Sequence, residues 1–452
     1  MRSYLQPFSG DGKERYPLDE IRYRGDKGEV LEVVNHFEKM SPEEVSDLKG
    51  VFDKRAGSWR GIDRSGVWRY REFLPAFRDM REEDIVTMPE GNTLIFDMPR
   101  CSRYTGVEAL RVKHQGMNLT GSFKDNGMTT GTTMAKKLKA PKVACASTGN
   151  TSASMAAYAA RAGMESLVFI PDGQIAYGKL SQALDYGALT IQIEGDFDLA
   201  MKIVEEVCNK GSIYMLNSIN PFRIEGQKTI MIEMLHQLAW DVPDWVVVPG
   251  GNLGNSSSFG KAFKELYDCG FIEKLPKIAV IQAEGANPLY RGFAEGDRKL
   301  VPVDAKTRAT AIKIGNPVSF DKSLFAVDYT NGYIEQVTEE EIAAAKSFIG
   351  RDGVGSEPAS AATVAGCKKM RDKGVMKKDE EVVCILTGHL LKDPDYTVEF
   401  HTDNLFLDAK RETSVTGKKR IPTEEYSNRP VKMKADTDEI LEFIYNRDNG
   451  KV

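Results

Sequence analysis

The chain lacks any apolar run approaching the roughly 20 residues of a membrane span, so no transmembrane helix is expected. Cysteine is scarce: six in 452 residues, at positions 101, 145, 208, 269, 367 and 384, with no paired spacing. That spacing excludes a disulfide framework and a cysteine zinc site. Cys145 and Cys384 fall in apolar strand-like runs, where cysteine acts as a small core hydrophobe. Histidine is rarer still, five residues with no HExxH arrangement, which argues against a catalytic metal. No sign of charge dominates: 61 Lys and Arg against 66 Asp and Glu give a net of -5. Such a balance gives no pull toward nucleic acid or an anionic membrane, and no basic patch carries interleaved aromatics. Residues 1–20 mix both charges with proline, unlike a signal peptide or an acid-poor transit peptide. The expectation is a reduced, cytoplasmic enzyme acting on a small molecule.

What is present divides by texture. Residues 1–95 are charged and irregular, with aromatics at Trp59, Trp68, Tyr70, Phe73 and Phe77, and read as an extension wrapping a larger core. Helical stretches are expected there, for example Ser41–Phe52, where Ser-Pro-Glu-Glu supplies an N-cap, an early proline and first-turn acids. From about 140 to 390 apolar runs alternate with helical patterns. Strands are expected at Lys142–Ala146, Leu167–Ile170, Leu189–Ile193, Ile213–Leu216, Trp245–Val248, Ile278–Ala283 and Val382–Leu386. Helices are expected at Thr151–Ala162, Leu199–Asn209, Ile224–Trp240 and Ser256–Asp268. Continuous apolar strands separated by helices indicate parallel sheet covered on both faces. The fold class is therefore α/β, with ligands expected at the carboxyl ends of strands. A charged stretch from Lys418 closes in an amphipathic segment at Asp436–Tyr445.

Five motifs carry chemistry. Thr120-Gly121-Ser122-Phe123-Lys124-Asp125 places a lysine at a helix start, and a Schiff-base amine needs a pKa depressed from about 10.4 by burial or nearby cations. Ser147-Thr148-Gly149-Asn150-Thr151 lies between a strand and a helix, where free N–H groups and hydroxyls can grip a carboxylate. Gly250-Gly251-Asn252-Leu253-Gly254-Asn255 follows a strand and can form a phosphate cup, although it matches neither the P-loop nor GxGxxG. Asn217-Ser218 through Arg223 offers amide, hydroxyl and guanidinium donors, and Arg suits phosphate. Thr387, after the last strand, can set a hydroxyl against a ring nitrogen. Taken singly, each also has a plain structural reading: a surface lysine at a helix start, a capped helix, a tight turn, a surface loop with an Arg–Glu pair, or a turn threonine. Four of the five, placed at strand ends of one sheet, together supply an amine, two anion sites and a ring partner.

Through these motifs, with Glu225-Gly226-Gln227-Lys228-Thr229 and Glu357-Pro358-Ala359-Ser360-Ala361, the sequence resembles the fold-type-II pyridoxal-phosphate enzymes, most closely the threonine synthases. The Gly66-Val67-Trp68 and Tyr426-Ser427-Asn428-Arg429-Pro430 regions are similar to the plant-type subgroup. The resemblance implies two open, twisted, mainly parallel sheets with flanking helices. It implies a large cofactor domain (96–140 and 235–415), a small substrate-side domain (141–234), the extension 1–95 and a tail 416–452. It assigns pyridoxal 5'-phosphate to Lys124, the cofactor phosphate to Gly251, Asn252, Leu253, Gly254 and Asn255, its 3-hydroxyl to Asn150 and its ring nitrogen to Thr387. A neutral threonine there implies an unprotonated ring nitrogen and a tempered electron sink. Ser147, Thr148 and Thr151 would grip the substrate carboxylate, and Asn217, Ser218 and Arg223 its phosphate.

The implied reaction converts O-phospho-L-homoserine and water to L-threonine and phosphate by γ-elimination and β-addition of water, in a homodimer. Two residues depart from the family pattern. Leu390 stands where the family often has glycine and is expected to crowd the ring or shift its loop. Asn150 stands where the plant-type subgroup commonly has Asp. That subgroup is activated by S-adenosylmethionine through its N-terminal region; here the extension is read as a structural wrap. A serine or threonine dehydratase is the main rival, but its substrates carry no phosphate to occupy Asn217, Ser218 and Arg223.

Overall fold

The structure is a computed structural model that describes residues 3–10, 12–172, 177–195, 197–406 and 426–448. Of the expected tail, 416–425 and 449–452 lie outside the described residues, as do 407–415 of the expected large domain. Two compact units divide the chain, Met1–Asp393 and Pro394–Val452. In the second, helices span Pro394–His401 and Thr437–Asp448, the latter over the amphipathic segment.

In the first unit, β1 (Tyr4–Pro7) and β2 (Leu31–Val34) pair antiparallel. The larger sheet contains β3 (Ile95–Asp97) and β4 (Ala109–His114). The smaller holds β5 (Lys142–Ala146), β6 (Glu165–Pro171), β7 (Leu189–Ile193) and β8 (Tyr214–Met215), all parallel in the order β7-β6-β5-β8. The chain then completes the larger sheet with β9 (Trp245–Pro249), β10 (Lys277–Ala283), β11 (Tyr333–Val337) and β12 (Glu381–Leu386). Its order is β11-β10-β9-β12-β4-β3, parallel except for β3 against β4. Burial on both faces explains the continuous apolar strands: Val246 and Val248 of β9 enter one core cluster, Trp245 and Val247 the other.

The sequence reading missed β4, which lies between β12 and β3 and carries Arg111, Lys113 and His114. Lys113 is nonetheless fully buried, its ammonium donating to Glu233 Oε2 (2.6 Å), the Thr93 carbonyl (2.6 Å) and Gln237 Oε1 (2.8 Å). A buried charge so partnered is tolerated, and hydrophobic periodicity cannot see it. The single-sheet placement of the motifs is also corrected. The Ser147 and Asn217 loops follow β5 and β8 of the smaller sheet, whereas the Gly250 and Thr387 loops follow β9 and β12 of the larger. The helix expected to reach Trp240 ends at Gln237, because Ala239 and Trp240 turn left-handed (φ 53° and 70°).

In the extension, Ser41 and Glu44 form a capping box on the helix Pro42–Ala56. Trp68, Tyr70, Phe73 and Phe77 are buried with the body's core clusters, while Trp59 is 87% exposed and belongs to no cluster. Strand β2 is held through its backbone: Lys322 Nζ donates to the Leu31 carbonyl (2.6 Å) and Lys261 Nζ to that of Val33. Among the described residues no helix is long and apolar enough to cross a membrane.

Helices Lys124–Lys137 and Pro221–Gln237 cross where a Cβ on Gly226 would lie 1.8 Å from the Asn126 carbonyl oxygen. That bare contact sets the spacing of Lys124 and Arg223, which head the two helices. Gly226→Ala is expected to destabilise the protein by about 1–3 kcal/mol, as overpacking does, read as a lower urea midpoint. An unchanged midpoint would show that the crossing relaxes freely.

Candidate active site

Lys124 opens its helix from a turn clamped to the end of β12. Ser122 bridges Gly388, the Phe123 N–H donates to the Thr387 carbonyl (2.9 Å), and the His389 N–H to that of Gly121 (2.9 Å). Asp125 anchors the turn from beneath, accepting from the Thr120 N–H (2.9 Å), Thr120 Oγ1 (2.5 Å) and Ser154 Oγ (2.5 Å). The last bond ties this helix to Asn150–Ala162. Burial nevertheless raises the Asp125 carboxyl to about 6, despite those donors.

All the residues expected at the site line one cavity of about 1700 Å³ between the two sheets: Lys124, Ser147, Thr148, Asn150, Thr151, Asn217, Ser218, Arg223, Gly251 to Asn255, and Thr387. Helices headed by Lys124, Asn150 and Gly254 direct their N-termini there, and no side chain caps any of the three. Uncapped N–H groups and positive dipole ends favour an anion.

The individual placements refine the expectations. Asn217 directs its amide at Ala146, accepting from the N–H (3.0 Å) and donating to the carbonyl (3.0 Å), and so pins the loop after β8 to β5. Ser218 Oγ accepts from Asn252 Nδ2 (2.7 Å), linking the loops of the two sheets. Arg223 is 2% exposed; it donates through Nη1 to the Leu216 carbonyl (2.9 Å), while Nε has no partner among the described residues. No carboxylate pairs with it there. Glu225 instead meets Lys228 (2.7 Å) and Lys261 (2.5 Å), which excludes an Arg223–Glu225 surface pair. Burial lowers the Arg223 pKa to about 10, leaving it cationic at neutral pH.

The Lys124 amine is lowered to about 7, by burial first and the Arg223 charge second, against the opposing pull of Glu357. It rests 4.2 Å from the Phe123 ring centre. In the sequence Glu357 carries no chemical signal of its own, because a lone Glu-Pro at a helix start reads as ordinary helix initiation. In the fold it is 1% exposed on the cavity wall, accepting from Asn150 Nδ2 (2.9 Å) and Thr387 Oγ1 (3.1 Å). His114 and His389, also on the wall, stack with centroids 6.2 Å apart. Burial, then His389, lowers His114 to about 4, so it stays neutral. Leu390, expected to crowd the ring or shift its loop, does not line the cavity: it packs toward Gly355, where a Cβ would lie 2.8 Å from its own.

This donor set fits a phosphorylated aldehyde cofactor. Asn255, 5% exposed, has both amide atoms without a protein partner among the described residues, at the mouth of the uncapped helix. The nearby amine is poised to be neutral. Fold and site together define a fold-type-II pyridoxal-phosphate dependent enzyme. The family described as Pyridoxal-phosphate dependent enzyme matches residues 86–388. Threonine synthase of Methanocaldococcus jannaschii is 46% identical over 385 residues, covering 85% of this chain and 92% of the relative. Threonine synthase 2, chloroplastic, of Arabidopsis thaliana is 36% identical over 98% of this chain and 86% of its own length. Among solved structures, threonine synthase from Escherichia coli superposes with a TM-score of 0.68 at 18% identity, over 98% of this chain and 100% of that one. The chain belongs to the threonine synthase family.

In cofactor-free protein, acylation of Lys124, followed by peptide mass spectrometry, should have its midpoint near pH 7. Arg223→Leu should move the midpoint up, because a neighbouring cation is lost, and Glu357→Gln should move it down. A wild-type midpoint matching that of exposed lysines would contradict the burial argument.

Proposed function

We propose that the protein converts O-phospho-L-homoserine and water to L-threonine and phosphate. The observation that carries this reading is a buried Arg223, without a carboxylate partner among the described residues, lining the same cavity as Lys124. A dehydratase substrate, lacking phosphate, would leave that charge buried and uncompensated, a costly arrangement.

When bound, pyridoxal phosphate supplies an electron sink for negative charge developing on substrate carbon. Lys124 would hold it, with Gly251 to Asn255 around its phosphate, Asn150 at the 3-hydroxyl and Thr387 at the ring nitrogen. With a pKa of about 7, the Lys124 amine can both take and return a proton at neutral pH, as successive transfers at Cα, Cβ and Cγ require. Ser147, Thr148 and Thr151, at the N-terminus of Asn150–Ala162, fit the substrate carboxylate. Ser218 and Arg223 fit the phosphate that leaves Cγ, and their grip lowers the charge the departing group must carry. Asn217 acts through Ala146, fixing the cavity floor. Water is delivered to Cβ and becomes the threonine hydroxyl.

We also read the chain as a cytoplasmic homodimer. All six cysteines are free and buried, which suits a reducing compartment, and sedimentation at twice the 50.2 kDa chain mass would support the dimer.

Incubating the cofactor-loaded protein with O-phospho-L-homoserine should release threonine and inorganic phosphate in equal amounts. Formation of an oxo acid from threonine, without phosphate release, would favour the dehydratase. Lys124→Ala should abolish turnover. Arg223→Leu should lower kcat/KM about 10- to 100-fold, the loss of the roughly 1.5–3 kcal/mol expected of hydrogen bonds to a charged group.

A further inference from the structure

Gln227 stands one helical turn beyond Arg223 and lines the same cavity, yet none of the roles above uses it. Its side chain is buried, with 3% of the residue exposed. Its Oε1 has no hydrogen-bond partner among the described residues. Buried polar groups in folded proteins are almost always paired, because an unpaired one is costly. An orphaned amide on a cavity wall is therefore a group waiting for a ligand.

Two bare glycines seat that amide. Its Nε2 end lies over Gly127, on the helix Lys124–Lys137, where a Cβ would come within 2.9 Å. Its Oε1 end reaches Gly254, the first residue of the uncapped helix Gly254–Asp268, where a Cβ would lie 3.5 Å away. Asn255, the next residue along, also has both amide atoms unpartnered among the described residues. Two orphaned amides thus adjoin one helix N-terminus, which by its free N–H groups and positive dipole end selects an anion. A glutamine amide carries donors at one end and acceptor sites at the other. Facing an anion, it presents its NH2.

We propose that Gln227 is a further cofactor-binding residue, whose side-chain amide donates to the phosphate of pyridoxal phosphate at the N-terminus of the helix Gly254–Asp268. The proposal rests on the reading that Gly251 to Asn255 hold that phosphate. Arg223 and Gln227 lie four residues apart on one face of the helix Pro221–Gln237, about 6 Å along its axis. A single rigid element then carries one group for the substrate's phosphate and one for the cofactor's, and sets the distance between them.

The test titrates cofactor-free wild type, Gln227→Met and Gln227→Glu at pH 8 with pyridoxal phosphate and with pyridoxal, which lacks the phosphate, following absorbance. Gln227→Met should bind pyridoxal phosphate about 10- to 100-fold more weakly, the loss of one hydrogen bond to a charged group, and pyridoxal as wild type does. The isosteric Gln227→Glu sets a carboxylate against the phosphate and should weaken it further, again sparing pyridoxal. Without cofactor, Gln227→Met should melt no lower than wild type, because it removes an unpaired buried amide. Equal losses for both aldehydes, with a lower melting temperature, would make the amide a packing element and overturn the proposal. Unchanged affinity for pyridoxal phosphate overturns it too, and a raised KM for O-phospho-L-homoserine would then give Gln227 to the substrate's phosphate. Wild type binding pyridoxal as tightly as pyridoxal phosphate would remove the phosphate cup itself, and the proposal with it.

Discussion

Three residues before the lysine, Gly121 to Phe123, run alongside Thr387 to His389 at the end of β12, joined by two backbone hydrogen bonds and the Ser122–Gly388 bridge. This short pairing brings together segments more than two hundred and fifty residues apart in sequence and sets Lys124 and Thr387 on the wall of one cavity. The bonds are made by backbone, so side-chain substitution nearby leaves the register intact. Asp125, locked by Thr120 and Ser154, carries the same constraint into the smaller sheet's first helix.

The cavity is also a problem in electrostatics. Three helix N-termini and the Arg223 guanidinium converge on it, and a protonated lysine would add to the repulsion. The fold settles this by burial, which lowers Lys124 most, with Arg223 second. Glu357 works in the opposite sense, and its two oxygens are occupied by Asn150 and Thr387. An Asp at position 150 would set two carboxylates side by side, so Asn at that position matches the neighbouring Glu357.

The N-terminal extension is integrated with the body. Trp68 donates from Nε1 to Thr129 Oγ1 (2.8 Å), on the helix that Lys124 opens. Asn35 reaches Glu225 (2.8 Å) and Glu265 (3.0 Å), beside the buried Lys228 and Lys261. Burial tends to raise the Glu225 pKa, but these cations hold it well below the usual carboxylate range. A cluster so paired loses heavily if one partner is removed, which binds the extension to the helix bearing Arg223.

From the sequence alone came the α/β class, the runs β5 to β10 and β12, the lysine and the strand-end loops that line the cavity, because apolar periodicity and loop chemistry are local properties written in adjacent residues. Strand β4 was hidden because its lysine is satisfied by Glu233, far away in sequence. The division of the motif loops between two sheets was hidden because strand order is a matter of pairing, and composition carries no record of partners. Only the tertiary structure showed that Leu390 turns to Gly355, that Asn217 spends its amide on Ala146, and that Glu357 lies under Thr387. A side chain's hydrogen-bond partners are settled only where distant segments meet.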